Sequence, residues 1–564
     1  MASTLPSTPI FNAIAKHDAK SLAIVHSSSN RSFCYGSLLH DVAAAKDNLA
    51  SLVHGKSLRG ERVAFLAENG YDYVVTFLSI LAHDAIALPL AFTHPSSELR
   101  YILENSEAAL FLSTEKFQEK AEDVLKEPMD HKPRMEILSK IETGATSAEN
   151  VKFQETALDN AGFMLYTSGT TNRPKGVVLS IDNITAQAKS LIEAWKYSAS
   201  DLLLHVLPLH HIHGTINALF TPLMAGSAIE FAYPFNADTV WQRLAAPFLP
   251  DVPSGKDPIT FVTVVPTIYN RLLASFPSLD DGMKKAVKTA ISPKYMRINI
   301  SGSAALPTPT KTAWTELSGG NVLLERYGMT EVGMALSCGL DYADRVDGSV
   351  GWPLPSVEAR LVDTENAEVI KEGEEVSPDG RLREGEIQLR GPTIFKEYFR
   401  NPKATAEEFV EAEDGRGKWF KTGDVAVRQV VHGAGRSDQA WAQGPMYFIR
   451  GRKSVDIIKT GGEKVSALEV ERELLSLPEV AEAAVVGVAS EQWGQKVAAV
   501  LVLSEAGMTA GRGGKRWSAL DMRKALKDRL ANYKIPQELK VVDSIPRNAM
   551  GKINKKTLVK DIFG

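Results

Sequence analysis

Cysteine is nearly absent. The 564 residues hold two, Cys34 and Cys338, too few for a disulfide framework or a cysteine zinc site and in keeping with a reducing compartment. Charge of one sign is lacking as well. Lys plus Arg number 64 and Asp plus Glu 68, a net of 64 − 68 = −4, so no global bias favours a nucleic-acid or membrane partner. No apolar run reaches the ~20 unbroken residues of a membrane span. The most apolar stretch, residues 73–92 (YVVTFLSILAHDAIALPLAF), is broken by His83 and Asp84 and reads as a buried helix followed by a strand. The N-terminus lacks the apolar core of a signal peptide. It is rich in Ser and Thr, as transit peptides are, but has no Arg before Arg31. The final KDIFG is not a peroxisomal tripeptide.

What is present is the balance of a globular enzyme-sized chain, 44% hydrophobic and 23% charged. The length suits about three to five domains or subdomains. Amphipathic segments alternate with short β-branched runs, as in 99–105 then 109–113, and 262–266 then 267–276. This predicts α/β layers with mostly parallel sheets. From 344 to 391 short runs such as SVEARLVD and GEIQLRG lie between acidic, Gly-rich turns, which suggests a small β-rich subdomain. Residues 372–383, 430–445 and 507–516 read as surface loops or insertions. After Gly451 a compact unit begins, with a helical period at 465–477, strands at 481–487 and 496–503, and a helix at 519–530. The expected division is 1–451, a hinge at 452–456, and 457–564.

The strongest local signal is residues 166–176, YTSGTTNRPKG, between an apolar run and a strand-like VVLS. Thr167, Ser168, Gly169, Thr170, Thr171 and Lys175 offer hydroxyls, close backbone approach and a cation, the groups that hold phosphate oxygens. It is not a Walker A loop, because Pro174-Lys175-Gly176 stands where Gly-Lys-Ser/Thr would be. A plain polar hairpin has the same composition, and Asn172 suits either.

The string resembles the phosphate-binding loop of the adenylate-forming superfamily of acyl-CoA synthetases, luciferases and peptide-synthetase adenylation domains, with Asn172 where Gly is usual. Six further segments follow in that family's order. LPLHHIHG (207–214) is similar to its acyl-pocket segment, SGSAALP (301–307) to its adenine turn, and ERYGMTE (325–331) to its nucleotide and magnesium segment. TGD (422–424) is similar to its ribose turn, GRKSVDIIKTGGEKVS (451–466) to its hinge and thiolation loop, and PRNAMGKINK (546–555) to its catalytic-lysine segment. Within the superfamily the chain resembles the malonyl-CoA synthetases, the group of plant malonate–CoA ligases and animal acyl-CoA synthetase family member 3. LLERYGMTEVGMALS, DIIKTGGEKVSALEVE and PRNAMGKINKKTL carry that likeness. TTNRPKG is similar to the TTSRPKG of oxalate–CoA ligases, and the 430–446 insertion is unusual.

The resemblance implies a large N-terminal domain of layered sheets with helices plus a β-rich subdomain, and a small mobile C-terminal α+β domain. It implies an AMP-forming acid–thiol ligase that uses ATP, Mg²⁺ and coenzyme A in fatty acid metabolism, with small-molecule substrates, no nucleic acid, no membrane span and no obligate protein partner. Carried over by position, Gly302, Ser303, Ala304, Glu325, Arg326, Tyr327, Gly328 and Met329 hold the nucleotide. Thr330 bonds phosphate. Thr170 and Glu331 serve magnesium, Asp424 and Arg452 the ribose, and Gly461 and Gly462 the pantetheine tunnel. Lys552 bridges the carboxylate and the α-phosphate. The pivot falls among Lys453, Ser454 and Val455. Likeness beginning near Phe11 implies a cytoplasmic enzyme.

For the acid, His211, Ser303 and Arg297 are the substrate candidates. A second carboxylate needs a charged or multi-donor partner once desolvated, and Arg297 offers a bidentate fork, although arginine at this place in monocarboxylate relatives is structural. Malonate is the leading acid. Methylmalonate, oxalate, a secondary-metabolite acid, or delivery to a carrier protein stand as alternatives. A first test follows from the lysine's role: Lys552→Ala loses adenylation far more than thioester formation from supplied acyl-AMP, and equal loss in both half-reactions would remove that role.

Overall fold

Period-two and period-3.6 hydrophobic runs need facing layers to bury them. In the computed structural model, which describes residues 4–54, 56–144, 151–167, 174–250, 255–547 and 552–564, two large sheets provide those layers. The first runs Glu397–Tyr398, Lys175–Ser180, Gly162–Thr167, Ile86–Pro89, Arg62–Leu66, Leu110–Thr114 and Arg134–Leu138 in spatial order. The second runs Trp352–Pro353, Gly333–Ser337, Leu324–Met329, Ile298–Ser301, Phe261–Val264, Leu202–His205, Ala228–Phe231, Leu22–His26 and Ser32–Cys34. Helices Tyr71–Leu81 and Ile181–Trp195 join them. Phe77 packs edge-on to Phe163 of the first sheet, while Gln187 Nε2 donates to Met334 O of the second at 3.0 Å. The apolar stretch 73–92 is thus a buried helix and then the strand Ile86–Pro89, and among the described residues no helix is long and apolar enough to cross a membrane.

The 344–391 texture becomes a third, mainly antiparallel sheet built on Glu358–Asp363, Gly385–Arg390 and the long strand Lys418–Gln429, which Met446–Arg452 extends. A fourth sheet, Glu463–Ser466, Ile457–Thr460, Gly494–Leu503 and Val480–Ser490, with Glu538–Val541 parallel to 494–503, forms the C-terminal unit. Helices Ala467–Leu475 and Ala519–Leu526 cover one face and Lys555–Phe563 the other. The helical period predicted from 465 starts two residues later. Ser466 leaves the strand and caps the helix, accepting from Glu469 N at 3.1 Å. The fold class inferred from sequence is therefore the one observed.

Residues 430–445 are more than a surface insertion. They have no regular secondary structure, yet they dock. Gln439 is buried; its Nε2 donates to Ala194 O and its Oε1 accepts from Leu340 N, both at 2.7 Å. Gly435 N donates to Asp344 Oδ1 at 2.7 Å, and Trp352 Nε1 donates to Gly444 O at 2.9 Å. The segment cross-links the second sheet to the helix Ile181–Trp195. Gln439→Ala strands a buried N–H and a buried C=O, at about 1–3 kcal/mol each. It is expected to lower the denaturant midpoint of the large unit, whereas Asp438→Ala, at an exposed ion pair with Lys196, should leave it within about 0.5 kcal/mol.

Candidate active site

Strands Leu202–His205, Phe261–Val264, Ile298–Ser301 and Leu324–Met329 are parallel neighbours, so the segments that leave their C-terminal ends gather on one side, where α/β sheets bind ligands. Gly302 and Ser303 follow one strand. A Cβ at 302 would lie 2.5 Å from Arg326 Cζ, so the glycine is what lets the guanidinium lie against this turn. Ser303 takes φ +68°, a strained backbone for a serine, and its Oγ is 3.3 Å from His213 Nδ1. His213 Nε2 in turn meets Thr263 Oγ1 at 2.6 Å. His213 opens the π-helical segment His213–Phe220, a rare geometry often found at functional sites. Burial pushes the His213 imidazole well below its ordinary pKa, so it is neutral.

Arg326 is buried, and among the described residues its Nε and one terminal nitrogen have no partner. Burial pulls its pKa down to about 9, which leaves it charged at neutral pH. His211 lies close enough to Lys552 to feel its charge. Burial first, and His210 and Lys552 after it, hold its pKa far down, and its buried Nε2 lacks a partner among the described residues.

The third sheet brings in Asp424. Cross-strand pairing sets it opposite Arg452, whose Nε donates to Asp424 Oδ1 at 3.1 Å, while Tyr327 OH donates to Oδ2 at 2.5 Å. An ionised carboxylate has about four acceptor sites, so Asp424 retains capacity for two hydroxyls. Residues 328–333 form a hairpin, with Gly328 and Met329 closing one strand and Thr330 and Glu331 in the turn. Glu331 is buried and accepts from Tyr398 OH at 2.9 Å. Lys175 Nζ sits 4.1 Å from the centre of the Tyr398 ring. Lys175 is paired with Thr167 across the arms of the hairpin. Ser168, Gly169, Thr170 and Thr171 lie outside the described residues. Lys552 completes the cluster. Burial lowers its pKa, Arg452 lowers it further, and Asp424 and Glu331 oppose that.

Several residues singled out from sequence are not brought here. Arg297 precedes its strand and so lies at the opposite end of the sheet. It forks onto Asp201 at 2.7 Å through both Nε and NH2, and also bonds Trp195 O and Lys196 O. Its charge is already matched. Glu325 points to the other face of its strand and pairs with buried Lys311 at 2.8 Å. Gly461 and Gly462 form the exposed tip of the hairpin between Ile457–Thr460 and Glu463–Ser466, beside Trp493. Ala304 is exposed next to Ser303. Tyr398 was missed. It lies 67 residues from Glu331, and no local pattern marks it.

The donor set suits a nucleotide with a hard cation. No group of three or more His, Cys, Asp or Glu capable of holding a metal occurs among the described residues. Magnesium, however, is commonly held by one or two carboxylates plus substrate phosphates. Glu331 is the carboxylate that would hold such an ion, which would neutralise charge on the phosphates.

Asp424, Arg452, Tyr327, Glu331 and Lys552 thus lie within reach of one another's charge at the C-terminal ends of the second sheet. Residues 11–399 match the family described as AMP-binding enzyme, and 469–552 match the AMP-binding enzyme C-terminal domain. The chain belongs to this family, whose members are AMP-forming ligases. It is 56% identical to a protein named CoA ligase from Gibberella moniliformis, over 100% of this chain and 96% of that one. It is 39% identical to the mitochondrial malonate–CoA ligase ACSF3 of Homo sapiens, over 90% and 84%. Among solved structures, ATP-bound MatB from Rhodopseudomonas palustris superposes with a TM-score of 0.78 at 30% identity, covering 100% of both chains.

The neutral imidazoles make stability fall in acid. Burial lowers His205 to about 4 and His210 to about 3. Unfolded, each titrates near 6.5. Below that value the unfolded chain gains protons that the folded chain refuses, so their contribution is intact above pH 6.5 and is lost as pH falls toward 4 and 3. At pH 5, before ordinary carboxylates titrate, the loss is about 2 kcal/mol per imidazole. Denaturant unfolding at pH 7 and pH 5 measures it, and equal midpoints would refute it.

Proposed function

We propose that the chain is an ATP-dependent CoA ligase that converts malonate to malonyl-CoA through malonyl-AMP. The observation that carries the choice of acid is Arg326. A buried guanidinium with two unpartnered nitrogens beside Gly302 and Ser303 is costly in an apolar-acid pocket. It becomes favourable when a second carboxylate meets it. The full-length similarity to malonate–CoA ligases supports the same reading.

In the first step one malonate carboxylate oxygen attacks the α-phosphorus, the bond to the bridging oxygen breaks, and pyrophosphate leaves. Both reactants are anions, so the chain must supply positive potential where they meet. Lys552 is the cation for that point, close enough to Arg452, Asp424 and Glu331 to feel their charge. Asp424 and Arg452 orient the ribose. Lys175 and Thr167, paired across the hairpin, would serve the phosphates, and Glu331 would hold a magnesium ion that offsets their charge. His211, neutral, serves the acyl side without adding charge. In the second step the thiol of CoA loses its proton to solvent and attacks the acyl carbonyl, and AMP leaves with the bonding pair. A move of the small unit about the segment 452–456 would bring the Gly461-Gly462 tip toward this step.

An acid panel with ATP and CoA, reading pyrophosphate and acyl-CoA separately, tests the proposal. Thioester from malonate but not from acetate or octanoate is the expected result, and preference for octanoate would overturn it. Arg326→Met is expected to cut kcat/KM for malonate by about two to three orders of magnitude and to shift the malonate-to-butyrate ratio toward butyrate. Arg297→Met should instead lower stability and leave that ratio unchanged, since its partner is Asp201.

A further inference from the structure

Lys555 lies three positions after Lys552, at the first turn of the helix Lys555–Phe563. Its ammonium is buried between two carboxylates, 2.6 Å from Asp456 Oδ1 and 2.7 Å from Glu471 Oε1. Each carboxylate has a second engagement. Glu471 Oε1 accepts from Val485 N at 2.7 Å, and Asp456 Oδ2 accepts from Arg452 N at 3.0 Å. Asp456 also packs under Gly451, where a Cβ would lie 2.4 Å from the Asp456 Cβ and φ is +128°, a place only glycine fills. Burial alone would lower the Lys555 pKa, but the two carboxylates outweigh it and raise it. One cation therefore joins the start of the last helix, the strand Val480–Ser490, and the stretch that carries Arg452 to Asp424.

We propose that Lys555 is a positioning residue for Lys552, fixing the catalytic ammonium relative to Arg452 and Asp424 during adenylate formation. The inference rests on the adenylation reading above. Three residues span at most about 10 Å, so anchoring Lys555 confines the Lys552 backbone to a short arc near the hinge-side stretch. The Asp456 bridge ties that arc to the Arg452 backbone. Releasing the anchor leaves the ammonium free to miss the attacking oxygen, and a displacement of about 1 Å in a reacting group costs on the order of 100-fold in rate. Nothing in the clamp touches the substrate, so binding of ATP is spared.

The test uses the full chain and the acid that the unmodified enzyme turns over best. Failure with malonate would then strike the substrate reading and leave this experiment standing. Lys555→Met alone leaves two buried carboxylates facing each other and is the variant at risk of misfolding. Lys555→Met with Glu471→Gln keeps the native net charge of the clamp and serves as the second variant. Its melting temperature is expected near that of the parent, and its KM for ATP should stay within about threefold. The kcat for acid-dependent pyrophosphate release should fall on the order of 100-fold, while transfer of a supplied acyl-adenylate to CoA keeps the parent rate. In a Lys552→Ala background the same pair should add less than about a threefold loss, because the effect passes through that lysine. Full pyrophosphate release in the charge-matched variant would overturn the proposal. So would equal losses in both half-reactions, or a second loss of about 100-fold on top of Lys552→Ala.

Discussion

The carboxylate of Asp424 is where the separately folded layers meet. Tyr327 reaches it from the strand Leu324–Met329 of the second sheet, and Arg452 reaches it from the neighbouring strand of the third. The field of Asp424 acts on Lys552 from the C-terminal unit. Three units that share no continuous sheet thus converge on one anion. Such a charge is tolerable in a buried place only while its partners stay, so the site holds its shape to the extent that these units remain docked.

Around that anion the named cations outnumber the carboxylates. Lys175, Arg326, Arg452 and Lys552 are cations facing Asp424 and Glu331, which leaves a positive excess for anionic reactants. The histidines of 205–213 add polar atoms without adding charge, because burial keeps them neutral. A protonated imidazole near Lys552 would repel it. The segment thus enlarges the polar surface of the acyl side while leaving its field to the arginine and the lysine.

Much of this was legible in the chain. The alternation of apolar periods foretold the layers, the broken run at His83 and Asp84 marked a helix–strand pair, and the ordered motifs named Lys175, Glu331, Asp424, Arg452 and Lys552. The errors share a cause. The place of Arg297 beside a motif points to the substrate, but its partner Asp201 lies 96 residues away. Glu325 shares a motif with its neighbours, although adjacent strand residues face opposite sides. Docking of 430–445 depends on Ala194 and Leu340, which no local pattern ties to Gln439. Local chemistry reads well from sequence, whereas which distant group has already taken up a charge does not.

That alternation has a further consequence in the strand Leu324–Met329. Glu325 and Arg326 are consecutive, one turned to Lys311 and the other toward the turn at Gly302. A slip of a single residue in its pairing with Ile298–Ser301 would exchange them. The cleft would then receive a carboxylate, and the helix behind would set a guanidinium against the ammonium of Lys311. Both faces would be wrong at once, so the opposed charges act as a check on strand alignment, and the polarity of the acyl side is decided when the sheet zips.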